Sequence, residues 1–183
     1  NLHVSPDSFR PFIRDEARLD LERRLAKNHP AHLLDHVACV DNTTGETFTF
    51  QLIRKQDPWY WQRDLLNEWI RSSAHINLKA RQIGVTWLAA GYALWVLLYL
   101  PGSKVLVVSI NEAEAVKVIN RIWDMYLSLP KHLRADVEVI KPVRDRPTKQ
   151  IQFRHPDGKI STVIGLPSTK SAGHGETAAL VIL

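Results

Sequence analysis

Apolar positions along this chain change their spacing several times, and each change marks an element. Residues 5–28 open with Ser5-Pro6-Asp7, a helix start in which the proline ring presets φ and Asp7 suits the positive dipole end. Leu19, Leu21 and Leu25 follow among alternating charges, the pattern of a solvated helix face, and His29-Pro30 ends it. Residues 32–40 and 47–53 are rich in β-branched and apolar side chains. Asp41-Asn42-Thr43-Thr44-Gly45 lies between them, which predicts a hairpin. Gln56-Asp57-Pro58 breaks the pattern and sets an expected boundary between an appendage, residues 1–56, and a main domain, residues 57–183.

Beyond the break, helical and extended patterns alternate. A helix is expected over 59–71, a short strand over 75–78, a tight loop at Gly84 and a wholly apolar helix over 86–100. Pro101-Gly102 punctuates. The continuous apolar run within 104–110 predicts a buried strand, and Ala115, Val118, Ile122 and Met125 give 112–127 an amphipathic helical period. Short strands are expected at 137–140, 150–153, 159–164 and 178–183. Strands alternating with helices imply an α/β fold with a mainly parallel central sheet flanked by helices.

Composition narrows the class. The 183 residues suffice for one domain with a real core, and the balance of 45% hydrophobic to 23% charged residues is that of a globular chain. A net charge of +5 permits contact with a polyanion without establishing one. Cys39 is the only cysteine, which excludes a disulfide framework and a cysteine zinc site and suits a reducing, intracellular setting. Within the run His36-Val37-Ala38-Cys39-Val40 it reads as a small buried hydrophobe. The first 25 residues carry charges and no long apolar stretch, unlike a signal peptide. The run 87–100 falls short of the roughly 20 residues that span a bilayer, so no membrane association is expected.

The chemistry concentrates in Lys79-Ala80-Arg81-Gln82-Ile83-Gly84-Val85-Thr86-Trp87, between an expected strand and an expected helix. That is where a phosphate-binding loop belongs. Gly84 and Thr86 occupy the second glycine and the hydroxyl of G-x-x-x-x-G-K-[ST], while Val85 replaces the lysine and Lys79 the first glycine. Backbone N–H groups and the helix dipole can still cradle phosphates, and the Thr86 hydroxyl can still ligate Mg²⁺. Val85 cannot neutralise phosphate charge. Lys79, entering from the first loop position, can fold across the β- and γ-phosphates, with Arg81 as a second cation. The same residues also suit a strand–turn–helix corner whose Lys79 and Arg81 face solvent.

Two further segments bear on this loop. Trp59-Tyr60-Trp61-Gln62 opens the preceding helix; an aromatic ring there can stack on adenine, and the Gln62 carboxamide can pair with both its donor and its acceptor. The tryptophans also suit the role of core anchors for that helix. Near the other end, the polar run from Ser168 to Gly175 leads into Ala179-Leu180-Val181-Ile182-Leu183, an apolar strand of the kind that delivers a Walker B acid pair. No such acid lies within the sequence, so the chain as given is expected to bind ATP and to hydrolyse it poorly.

These residues together resemble phage terminase large subunits, over residues 57 to 183. Lys79 to Thr86 fit that family's displaced-lysine loop, K-x-x-x-x-G-x-[ST]; Trp61-Gln62 matches its adenine motif; Gly165-Leu166-Pro167-Ser168, then Ala172-Gly173 and the apolar strand, match its approach to Walker B. The resemblance implies a P-loop NTPase of the ASCE type that uses ATP and Mg²⁺ to drive double-stranded DNA into a procapsid. It also implies assembly as a homo-oligomeric ring with a portal protein and a small terminase subunit in the host cytoplasm, and a separate nuclease domain. Relatives carry an arginine near the position of His174, and histidine there departs from the pattern. Arg144, Arg146 and Arg154 lie in the most basic stretch and are candidates for a trans-acting arginine or for phosphate contact, or they line a solvated strand face. A helicase-like translocase would share the adenine glutamine but place lysine directly after Gly84. A non-catalytic module with a degenerate loop would dock on DNA or a capsid component and bind no ATP.

Overall fold

The computed structural model describes residues 10–40, 44–53, 60–72, 74–76, 84–142, 147, 149–169 and 177–183, with side chains from residue 15 onward. Helix α1 (Arg10–Asn28) ends where Pro30 begins α2 (Pro30–Leu34). His29 caps α2: its Nδ1 accepts from the Ala31 N–H at 3.1 Å, and Pro30 supplies a first-turn residue with no N–H to satisfy. This local capping turns part of the expected first hairpin strand into helix. The hairpin itself is shorter, β1 (Ala38–Val40) against β2 (Thr47–Thr49), antiparallel with Cys39 opposite Phe48. Burial pushes the Cys39 thiol up to about 12.

The remaining elements follow the sequence pattern closely. They are α3 (Trp61–Arg71), α4 (Val85–Tyr99), β3 (Lys104–Ser109), α5 (Glu112–Ser128), a 3-10 turn (Lys131–Leu133), β4 (Glu138–Lys141), β5 (Gln150–Arg154), β6 (Ile160–Pro167) and β7 (Leu180–Ile182). Asn111 starts α5 with its Oδ1 accepting from the Glu114 N–H at 2.9 Å. The strand expected over 75–78 does not appear in its described part: His75 and Ile76 lie outside any ladder, and Ile76 is 93% exposed. A β pattern becomes a strand only by pairing, and among the described residues β7 pairs with β3 alone.

The five-stranded sheet has the order β4-β5-β6-β3-β7 and is mixed, which corrects the expectation of a mainly parallel sheet. β3 runs parallel to both β6 and β7, whereas β4-β5 and β5-β6 are antiparallel. The cause is connection length. β5 reaches β6 through the short turn 155–159, in which the His155 carbonyl accepts from the Gly158 N–H and Gly158 takes φ +83°. So short a link can only reverse the chain, while a parallel neighbour needs a crossover of a dozen residues or more.

Helices α4 and α5 cover the same face of this sheet. On β6, Gly165 faces Ala115 and Ile119 of α5, and Ser161, four residues earlier on the same face, bonds to the end of α4. Val105, Val107, Ile151, Phe153 and Val163 meet Leu88, Leu94, Leu97, Ile119, Ile122 and Met125 in one core. Ala31, Leu34, Val37 and Phe50, all before residue 57, belong to that same core. At Gly91 the Leu34 side chain packs directly against the α4 backbone, where any Cβ would collide with it.

At the C-terminal end of α4, side chains take up backbone carbonyls. Ser103 Oγ donates to the Val96 carbonyl at 3.1 Å, and Ser161 Oγ donates to the Leu100 carbonyl at 3.2 Å. His155 Nε2 lies 3.0 Å from the Leu97 carbonyl and 2.8 Å from Ser161 Oγ. His155 and Ser161 are both buried, so this network closes the helix end from its inner side.

Candidate functional site

The opposite end of α4 is built differently. Gly84 precedes the helix with φ +76° and ψ 0°, the left-handed conformation that a side chain at this position would strain, and as the N-cap residue it brings no side chain to cap the first turn. The Gly84 carbonyl accepts from the Leu88 N–H at 3.0 Å, closing the first helical turn. The first-turn N–H groups of a helix have no intrahelical partner, and the helix dipole adds positive potential there.

A second candidate residue reaches the same point. Gln62, in the first turn of α3, is buried at 7% exposure, and its Nε2 lies only 2.7 Å from where a Cβ on Gly84 would stand. Two residues separated in sequence by the whole expected strand and loop are thus in direct packing contact. Trp61 is half-buried beside it at the start of α3.

The rest of the loop is distributed as follows. Val85 turns into the protein at 7% exposure, in keeping with an apolar residue where a lysine is usual, and Thr86 is half-buried in the first turn of α4. Lys79, Ala80, Arg81, Gln82 and Ile83 lie outside the described residues. The Trp87 ring meets Phe48 of β2 edge-on, with centroids 5.6 Å apart and planes at 87°. The Arg121 guanidinium of α5 lies over the same ring, its Cζ 4.9 Å from the centroid. Sequence reading singled out neither Phe48 nor Arg121. Phe48 reads as a strand residue, and Arg121 reads as the polar side of an amphipathic helix; only the docking of the hairpin and of α5 onto α4 joins them.

At the other end of the described chain, β7 lies parallel to β3, with Val105 opposite Leu180 and Val107 opposite Ile182. Of the candidate arginines, Arg154 is exposed and bonds to Glu138 across the β4–β5 pair at 2.8 Å. Arg144, Arg146, Lys170 and His174 fall outside the described residues. Among the described residues no group of three or more His, Cys, Asp or Glu could hold a metal ion, and no helix is long and apolar enough to cross a membrane. The sequence matches no known protein-family model, and no curated protein matches it significantly.

Proposed function

We propose that this chain is the nucleotide-binding part of a P-loop ATPase motor of the DNA-packaging type. The observation that carries the reading is the contact between Gln62 and Gly84: the residue expected to read adenine packs on the glycine expected to end the phosphate loop. Support also comes from the left-handed Gly84, an N-cap residue without a side chain, at the start of the helix that follows it. A phosphate fits such a place because it accepts hydrogen bonds from several N–H groups at once and carries the charge the helix end favours.

Each residue then has a task. The N–H groups around Gly84 hold the phosphate oxygens, and Lys79 supplies the positive charge that Val85 lacks, with Arg81 adding a second cation. Thr86 offers its hydroxyl to Mg²⁺, which when bound would neutralise charge between phosphate groups. Gln62 and Trp61 orient the base. Beyond the nucleotide, the proposal follows the terminase resemblance to double-stranded DNA as the polymer moved, with a ring of subunits, a portal protein and a small terminase subunit as its assembly.

Equilibrium binding of a non-hydrolysable ATP analogue with Mg²⁺ tests the reading. Wild type should bind, and Lys79→Ala should weaken binding by about tenfold or more, the loss expected for one charge-assisted contact of ~1.5–3 kcal/mol. Binding that Lys79→Ala leaves unchanged would remove Lys79 from the phosphate site and, with it, the displaced-lysine argument.

A further inference from the structure

The hairpin β1–β2 is a marginal element. Each strand has three residues, and all three residues of β2 are exposed. So short a ribbon is not stable alone in water and depends on what it packs against. One anchor is the far end of α5, where the Ala38 N–H donates to Ser128 Oγ at 3.0 Å. A second is aromatic, and it falls beside the candidate site: Phe48 stands edge-on to Trp87, the residue directly after Thr86. Arg121 closes the ring from another side at 4.9 Å, and Phe50, packed at 6.4 Å from Phe48, ties the strand to the core.

This arrangement fixes the orientation of α4's first turn from outside the helix. Its N-cap residue is Gly84, which has no side chain to cap the turn, so packing contributes to holding it. Trp87 is the large ring of that turn, and it is held by one residue of the hairpin and one of α5. We propose that Trp87, clamped between Phe48 and Arg121, is a positioning residue for the phosphate-binding turn, and that the hairpin thereby sets the protein's affinity for the triphosphate. The inference rests on the nucleotide reading above and adds regulation to it. A partner that displaced the exposed hairpin would loosen the clamp and weaken phosphate binding without touching the phosphates.

The clamp and the base contact separate experimentally. Trp87 orients the turn that meets the phosphates, whereas Trp61 and Gln62 belong to α3. Affinities for an ATP analogue with Mg²⁺ and for adenosine are measured on the full chain, on Phe48→Ala and on Arg121→Gln, with circular dichroism to confirm that each variant is folded. Both variants should weaken the ATP analogue by about 3- to 10-fold, the range of one aromatic or cation–π contact, and leave adenosine within about twofold. Arg121→Lys, which keeps the cation, should recover part of the loss. Equal loss for ATP analogue and adenosine would mean general loosening and overturn the clamp. Wild-type strength in both variants would overturn it too, while leaving the nucleotide reading intact. Failure of wild type itself to bind would overturn the nucleotide reading and the clamp together.

Discussion

At its C-terminal end α4 is met by Ser103, Ser161 and His155, which take up the carbonyls of Val96, Leu97 and Leu100 inside the protein. At its N-terminal end the same helix is met by a left-handed glycine, which has no side chain to cap it, and by a packed carboxamide. Both ends of a helix carry backbone groups without an intrahelical partner, and at the first end serine and histidine side chains supply partners. The protein's own side chains close the first end; on the nucleotide reading proposed above, a phosphate would partner the second.

The largest expected effect breaks the closed end. Replacing His155 by alanine strips a hydrogen-bond partner from a buried carbonyl and from Ser161, a loss of about 2–3 kcal/mol. Thermal unfolding should register this as a fall of about 4–10 °C in Tm. Affinity for an ATP analogue should stay at the wild-type value, because the network lies at the far end of the helix. A change in affinity as large as the change in stability would erase the distinction between the two ends.

A smaller stability effect with a larger functional one is expected at the open end. Gly84→Ala puts a side chain on a residue with φ +76° and into the space Gln62 fills, at a cost of about 1–2 kcal/mol of folding stability. Isothermal titration should show the ATP analogue bound roughly tenfold or more weakly, since the turn and Gln62 must both shift. Unaltered binding would mean that Gly84 has no part in the site.

These two ends were unequally legible in the sequence. The helix itself, the strand after it and the amphipathic α5 were plain, because long apolar runs and a 3.6 period leave few alternatives. Gly84 was legible because a glycine between a strand pattern and a helix pattern serves a backbone need. The closed end was not: Ser103, Ser161 and His155 carry no signal until β6 and the 155–159 turn are folded against α4. The mixed sheet had a signal that was under-read, since no helical pattern separates the strands from 138 to 167. Part of the expected first hairpin strand became α2, because a histidine cap and Pro30 outweighed the apolar run after them.

The mildest effect sharpens the comparison from the middle of the helix, where α2 packs on α4 at Gly91. His32, in the last turn of α2, is held below its ordinary value of 6.5 by burial and by neighbouring His29, with Arg63 and His36 adding to this and Asp35 opposing it. The folded state therefore binds a proton at His32 less readily than the unfolded chain. The sign follows: stability falls as pH drops below 6.5 toward the lowered value and levels off beneath it. Melting curves between pH 7.5 and 5.5 should slope less for His32→Gln than for wild type, and identical slopes would discard this source of pH dependence. Nucleotide affinity should show no matching difference, which would place the sensitivity in the packing of α2 and outside the open end.

The hairpin carries one more consequence, through its buried thiol. Cys39 is the only cysteine in the chain, it sits opposite Phe48, and burial holds its thiol at about 12. At neutral pH almost none of it is thiolate, the form that reacts. The native protein is therefore a silent background for thiol labelling, and a cysteine introduced at exposed Thr47 would carry a probe alone, on the strand that meets Trp87.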